Sequence, residues 1–292
     1  MLRERLSRGA PILVAPGVHD ALTARLVEEA GFEVAYVGGA SFSYGQLAMP
    51  DLGLAGLEEM REHVRRVRDA TRLPLIVDAD CGFGDVLNVR RTVREYALAG
   101  ADALQVEDQT FPKRCGHLVG REVVDRQEAA VRLATALDSR PRDDVLIIAR
   151  TDSRTVLGLD EVIARARLFE EVGADAVFPE SLESVDEYRA VRDAVALPLV
   201  ANMVEGGRSP DLTAAELEAL GYQIVLFPGS VTRAVAHAAR SLLTALRRDG
   251  TTRAVRDRML SFGELQTTLG YEGWMDYVDR LKGGERHAPT PR

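Results

Sequence analysis

The stretch "EDQTFPKRCGH", residues 107 to 117, sets one cysteine between two cations and a histidine. Neighbouring positive charge lowers a thiol pKa, so Cys115 is a group able to exchange a proton near neutrality. Lys113, Arg114 and His117 form a basic cluster suited to a carboxylate-bearing ligand. The competing reading of a lone cysteine is a small buried hydrophobe. Polar, glycine-bearing surroundings favour chemistry for Cys115, whereas Cys81, which follows Asp80 with no cationic neighbour, keeps the structural reading. A second reactive set is acidic. In "VDAD" alternate residues put Asp78 and Asp80 on one side of a strand, where two carboxylates repel unless a cation or proton lies between them. With Glu107 and Glu180 they supply only hard oxygen ligands, which suit Mg²⁺ or Mn²⁺ and not zinc. Taken singly, each acid at a strand end has an alternative use as a cap for the next helix.

These residues need strand ends to hold them, and the chain supplies such ends at regular intervals. A charged amphipathic stretch, a glycine and a short apolar run recur as "ARLVEEAGFEVAYVGG", "VREYALAGADALQVED", "ARLFEEVGADAVFPE" and "AELEALGYQIVLFPG". The pattern predicts a helix ended by a left-handed glycine, then a strand buried on both faces. "PILVAPGV", "LPLIVDAD", "VLIIARTD" and "LPLVANM" bring the count to eight candidate strands between residues 11 and 229. Eight βα units close into a (β/α)8 TIM barrel, with the site at the C-terminal ends of the strands. A doubly wound open sheet is the competitor, but no glycine-rich phosphate fingerprint follows the first strand. After residue 230 the pattern is helical. The expected organisation is therefore an α/β barrel domain over 1–250, with a helical extension over 251–292 ending in the frayed tail "GGERHAPTPR".

Composition limits the function classes. The chain has 292 residues, a formal net charge of −8, 46% apolar and 28% charged residues, which excludes a disordered chain. The acidic balance argues against a general nucleic-acid binder, and no apolar run approaches the roughly 18 residues a membrane helix needs. Two cysteines are too few for a disulfide framework and the N-terminus lacks the apolar core of a signal peptide, so the expected location is the cytoplasm. His19, His63, His237 and His287 stand outside any constellation.

The motifs "LPLIVDADCGFGD", "VEDQTFPKRCGH", "IIARTD", "FPE" and "ANMVEGG", in this order, resemble the isocitrate lyase and phosphoenolpyruvate mutase superfamily. Among its members they are most similar to the small lyases of the methylisocitrate and dimethylmalate type. The likeness runs from about residue 11 to about residue 250, and "PKRCGH" resembles the lyase signature specifically. It implies that Asp78, Asp80, Glu107 and Glu180 hold Mg²⁺ directly or through water. It implies further that Arg150, with the backbone amides at Gly39 and Ala40, binds the pyruvyl or glyoxyl carboxylate. Asp51 in "MPDLG" matches a family acid near the site; Arg114, His117 and Asn202 are implied contacts to the rest of the substrate, and Tyr36 and Gly116 belong to the same substrate-contacting set. Lys113 helps to set the charge of the loop. One departure stands out: the lyases carry serine where this chain has Gly38, so a hydroxyl contact is missing unless Ser41 or Ser43 replaces it. The resemblance also implies a homotetramer in which the C-terminal helices swap between subunits.

The implied activity is Mg²⁺-dependent cleavage of a carbon–carbon bond in a small 2-hydroxy di- or tricarboxylate, giving a 2-oxo acid such as pyruvate and a second carboxylate. Cys115 is the candidate general acid toward the leaving carbanion; the group that takes the hydroxyl proton is not identified by the sequence. Oxaloacetate hydrolysis, or a phosphonate mutase or hydrolase reaction on the same scaffold, is the alternative. A non-catalytic binding protein would not need the full set of strand-end acids. The larger isocitrate-cleaving relatives carry hydroxyl side chains after the strand-seven asparagine, where this chain has Val204 and Gly206, so the expected substrate has only two carboxylates.

Overall fold

The computed structural model describes residues 2–6, 10–111, 113–114 and 120–282. Eight short strands alternate with helices: β1 (Leu13–Pro16), β2 (Ala35–Val37), β3 (Leu75–Asp78), β4 (Ala103–Glu107), β5 (Leu146–Thr151), β6 (Ala176–Pro179), β7 (Val200–Asn202) and β8 (Ile224–Phe227). All pairings are parallel, in one sheet ordered β1-β8-β7 and another ordered β2-β3-β4-β5-β6. Single parallel bridges, Gly17 to Tyr36 and Val177 to Leu199, link the two sheets. The glycines of the recurring phrase behave as expected: Gly31, Gly100, Gly173 and Gly221 have φ of 83°, 109°, 101° and 82°. Each lets the chain reverse directly from helix into strand.

The strands split their side chains between two cores. Ile76, Ala103, Ile148, Phe178, Val200 and Leu226 pack together in one cluster, which also takes in Leu2 and Leu6. Their sequence neighbours Val77, Leu104, Ile147, Val177, Ala201 and Val225 belong to a larger cluster that includes the flanking helices. This is the period of two expected of a strand buried on both faces. Following the first set toward the strand C-termini gives Asp78, Gln105, Glu107, Arg150, Glu180 and Asn202. The register that fills the inner core thus delivers the polar residues to one end.

Beyond β8 the described residues are helical, in Ser230–Asp249, Arg253–Arg258, Phe262–Thr268 and Tyr271–Lys282. The first of these buries only Thr232 and Ala245, and the last buries nothing. No helix among the described residues is long and apolar enough to cross a membrane.

Candidate active site

Pairing register sets the centre of the site. Glu107 lies opposite Arg150 across β4 and β5, and Asp78 lies opposite Gln105 across β3 and β4. Arg150 is 7% exposed. Its Nε is 3.4 Å from Glu107 Oε2, its Nη2 is 3.3 Å from Glu180 Oε2, and it sits 5.0 Å over the Phe178 ring. Asp152 holds it from behind, with Nε donating to Oδ2 at 2.8 Å and Nη2 to Oδ1 at 3.0 Å. Burial opposes the charge on Arg150, but Asp152, Glu107 and Glu180 overcome it and hold its pKa well above the ordinary value.

The second cation is Lys113. A lysine between a proline and an arginine in a loop reads as a surface charge, yet Lys113 is 4% exposed. Its Nζ donates to Asp51 Oδ1 at 2.8 Å and lies 2.7 Å from Asp80 Oδ1. The expectation that Lys113 sets the charge of an overhanging loop is thus corrected: three acids, Asp80, Asp51 and Asp78, draw it into the site against the cost of burial. Asp80 itself sits in the left-handed region at φ 47°, and Ser181, beside Glu180, at φ 61°. Non-glycine residues held there cost on the order of 1 kcal/mol or more, and such strain collects at functional sites. The Asp80 backbone is fixed by its amide donating to Asp78 Oδ1 at 3.0 Å.

Burial first, then the neighbouring acids Asp78 and Asp51, raise Asp80 to about 7 despite Lys113. Burial also raises Glu107 well above the carboxylate range, against Arg150. Glu107 Oε1 and Asn202 Oδ1 have no hydrogen-bond donor among the described residues, and Asp80 Oδ1 has only the Lys113 ammonium. Glu180 accepts from Ser181 at 3.1 Å and from Asn202 at 2.9 Å. Among the described residues no three acids, imidazoles or thiols gather into a ready cage, because Lys113 and Arg150 stand between the carboxylates. The donor set still fits a hard divalent cation: it is all oxygen and buried, two of its members, Asp80 and Glu107, are held above the ordinary carboxylate range, and Glu107 Oε1 is unpartnered among the described residues.

These groups line a cavity of about 300 Å³ together with Tyr36, Gly38, Ala40 and Val204. Asp51, Asp78, Lys113, Arg150, Glu180 and Asn202 all reach it, while Asp80 and Glu107 stand behind. The Gly39 amide faces Asp78 Oδ2 at 3.4 Å. Gly38 has a physical reason to lack a side chain: a Cβ there would come within 2.7 Å of the Tyr36 ring. That ring is buried, with its hydroxyl donating to Gln105 Oε1 at 3.2 Å. Ser41 does not replace the missing hydroxyl; it donates to the Pro228 carbonyl at 2.5 Å. Neither Ser41 nor Ser43 lines the cavity. The Arg114 backbone is held by Gln109 through bonds of 2.9 and 3.0 Å, its guanidinium lies against Gly120, and it does not line the cavity. Cys115, Gly116 and His117 lie outside the described residues. Cys81 bears out the structural reading, since burial beside Glu107 and Asp80 pushes its thiol up to about 12.

Sequence reasoning missed four contributors. Gln105 bridges Tyr36 and Asp78, donating to Asp78 Oδ1 at 3.1 Å; its signal is a lone amide in the apolar run "ALQV". Asp152 ends the run "IIARTD", where nothing in the sequence marks it as the partner of Arg150. Glu205 and Arg233 form part of the outer wall, paired at 2.9 Å.

The phosphoenolpyruvate phosphomutase family model matches residues 2–247. A 2,3-dimethylmalate lyase from Eubacterium barkeri is 44% identical over 271 residues, covering 93% of each chain. A 2-methylisocitrate lyase from Aeropyrum pernix is 41% identical over 280 residues, covering 96% of this chain and 89% of that one. Among solved structures, oxaloacetate acetylhydrolase with 3,3-difluorooxalacetate superposes with a TM-score of 0.91 at 36% identity, covering 98% and 97% of the two chains. A 2,3-dimethylmalate lyase, described as a PEP mutase/isocitrate lyase superfamily member, superposes with a TM-score of 0.90 at 35% identity, covering 97% and 94%.

Proposed function

We infer the activity from one premise: this chain belongs to the phosphoenolpyruvate phosphomutase family, within the isocitrate lyase/PEP mutase superfamily. It is a carbon–carbon lyase that cleaves a small 2-hydroxy dicarboxylate of the dimethylmalate type to a 2-oxo acid and a second carboxylate. The observation that carries the reading is a cavity holding Arg150 beside strand-end carboxylates, in a chain 44% identical to a 2,3-dimethylmalate lyase. The parallel strand order, with its two linking bridges, supports closure of the sheets into one eight-stranded barrel.

Mg²⁺ or Mn²⁺, held by Asp78, Asp80, Glu107 and Glu180 directly or through water, would supply positive charge beside the hydroxyl and carboxylate oxygens of the substrate. Arg150 binds the carboxylate that passes into the 2-oxo acid, and Tyr36, Gly38, Gly39 and Ala40 form the wall beside it. Lys113, held between Asp51 and Asp80, offsets the negative charge of the site, and Asn202 orients Glu180. Cys115 gives its proton to the departing carboxylate-stabilised carbanion, and the cationic sequence neighbours Arg114 and His117 favour the thiolate it leaves. A second reading, hydrolysis of oxaloacetate, is favoured by the likeness to oxaloacetate acetylhydrolase. A metal-supplemented screen of 2-hydroxy and 2-oxo dicarboxylates separates the two. Pyruvate from an alkyl-substituted malate supports the lyase; oxalate and acetate from oxaloacetate alone would replace it with the hydrolase.

The cavity also limits the substrate. Its lining cations, Lys113, Arg150 and Arg233, are each paired with an acid, and Val204 offers no donor. A third carboxylate would be poorly satisfied, and leaving it unpaired costs several kcal/mol. Dimethylmalate is therefore expected to exceed isocitrate in kcat/KM by at least about tenfold. Methylisocitrate is the strongest rival, through Arg114, His117 and Asn202. A preference for either tricarboxylate in side-by-side kinetics would overturn the assignment of Val204 and Gly206.

The helices beyond residue 230 point to assembly. Phe262 is 82% exposed, and Leu243, Leu260, Trp274 and Leu281 are also exposed. Monomers rarely leave so many large apolar groups in water. We take this face as the contact of a homotetramer with swapped C-terminal helices, built from a catalytic unit over 1–250 and the extension from 251, in the cytoplasm. Light scattering at micromolar concentration is expected to give about four chain masses, reduced by Phe262→Asp with Trp274→Asp. A wild-type monomer would refute the assembly.

A further inference from the structure

We propose that Arg121, which lies outside the cavity, is a positioning residue for the anion site: through Asp152 it sets the charge and aim of Arg150. The proposal rests on the reading of Arg150 as the carboxylate-binding group. Arg121 and Asp152 line no part of the cavity, and the side chains are 1% and 0% exposed. Arg121 Nη1 donates to Asp152 Oδ1 at 2.7 Å, and its Nη2 donates to Thr155 Oγ1. Asp152 Oδ1 therefore accepts from two guanidiniums, since Arg150 Nη2 reaches it at 3.0 Å, while Oδ2 takes Arg150 Nε at 2.8 Å. The Asp152 backbone is held as well: its amide donates to Asp108 Oδ1 at 2.9 Å, and Asp108 Oδ2 accepts from the buried Arg165 at 2.9 Å.

The charge balance gives this arrangement a use beyond packing. Arg150 and Asp152 alone would make a neutral pair, and Arg150 already faces Glu107 and Glu180 at 3.4 and 3.3 Å. Such a guanidinium has little net attraction left for a carboxylate ligand. Two guanidiniums on one carboxylate leave the trio with one net positive charge, in a buried site where charge is weakly screened. Arg121 also pins Oδ1, which holds the carboxylate plane against the edge of Arg150 and keeps that guanidinium from closing fully onto the acids at its other side. Losing Arg121 would hand the whole charge of Asp152 to Arg150 and free Arg150 to shift toward Glu107 and Glu180.

The test compares wild type, Arg121→Gln, Arg121→Lys and Thr155→Val, with metal supplied. The expected result for Arg121→Gln is a KM for the cleaved dicarboxylate, and a calorimetric Kd for oxalate, each raised about tenfold, the scale of one charge-assisted interaction. Its kcat is expected to change by less than about threefold, and Arg121→Lys to recover most of the loss. A purely structural role would lower Tm and leave KM and the oxalate Kd of the folded protein at wild-type values, which would overturn the proposal. Should Arg121→Gln fail to fold, Thr155→Val, which removes only one partner of Arg121, carries the comparison. A raised oxalate Kd supports the proposal and an unchanged one overturns it. Wild type that binds oxalate but cleaves no hydroxydicarboxylate would count against the lyase reading alone, and the Kd comparison would still decide the role of Arg121.

Discussion

Replacing Cys115 by serine is expected to lower kcat by at least about a hundredfold while leaving the fold and the binding of a 2-oxo acid product intact, the usual scale for removing a general acid. The argument is chemical. Cleavage leaves a carbanion spread over a carboxylate, which needs a proton from a group that gives it up near neutrality. A thiol flanked by Arg114 and His117 meets that need, because positive charge favours the thiolate it leaves behind. A serine hydroxyl, several pH units less acidic, does not. The measurement is steady-state turnover of dimethylmalate with Mg²⁺, beside a thermal melt to show that the variant is folded. Turnover close to wild type in the folded variant would remove Cys115 from the mechanism. Cys81 cannot take over the role, since its buried thiol is held near 12.

Why some of this site was legible in the sequence and some was not follows from how each residue is placed. The strand-end acids were visible because a strand buried on both faces has period two, so a polar residue at the end of an apolar run points inward by counting alone. Asp78, Glu107, Arg150, Glu180 and Asn202 all continue the register that fills the inner core. Gln105 obeys the same count and could have been read with them. Four of the eight strands, β2, β4, β6 and β8, were marked by preceding glycines at equivalent positions in the left-handed conformation. Lys113 was misjudged because its environment is supplied from far along the chain: Asp51 follows β2 and Asp80 follows β3, and nothing within five residues of Lys113 announces a buried ammonium. Arg121 and Arg165 belong to the same class. Each is buried against an acid 31 or 57 residues away, and charge pairs at that separation leave no local signature.

Gly38 shows the opposite case, a departure that the sequence exposed but could not explain. The missing hydroxyl reads as a lost contact until the Tyr36 ring is seen to fill the space a Cβ would take. The ring is committed by its bond to Gln105 and by the Gln105 bond to Asp78. The cavity wall at Gly38 is therefore closed in this chain by the Tyr36 ring, which leaves no room for a side chain at position 38.

Asp80→Ala is expected to fold, to lose activity by about a thousandfold or more, and to lose the thermal stabilisation that Mg²⁺ gives the wild type. The fold should survive because Asp80 is held at some cost. Burial and the acids Asp78 and Asp51 raise its pKa from 3.8 to about 7, so its charged form is disfavoured there. Alanine removes that cost and leaves Lys113 with Asp51 at 2.8 Å. The same rise fixes a pH dependence. The folded value lies above the unfolded one, so in the metal-free protein the contribution of this group to stability is full below about pH 4 and is lost as pH rises through about 7. A divalent cation competes with the proton for the same oxygens, so its binding should strengthen over that interval and level off above it. Melting curves at pH 6 and pH 8, with chelator and with Mg²⁺, should therefore show a larger Mg²⁺-induced rise in Tm at pH 8 for the wild type and none at either pH for Asp80→Ala. An equal rise in the variant, or full activity of chelator-treated wild type, would mean that the carboxylates of β3, β4 and β6 serve Lys113 and Arg150 alone.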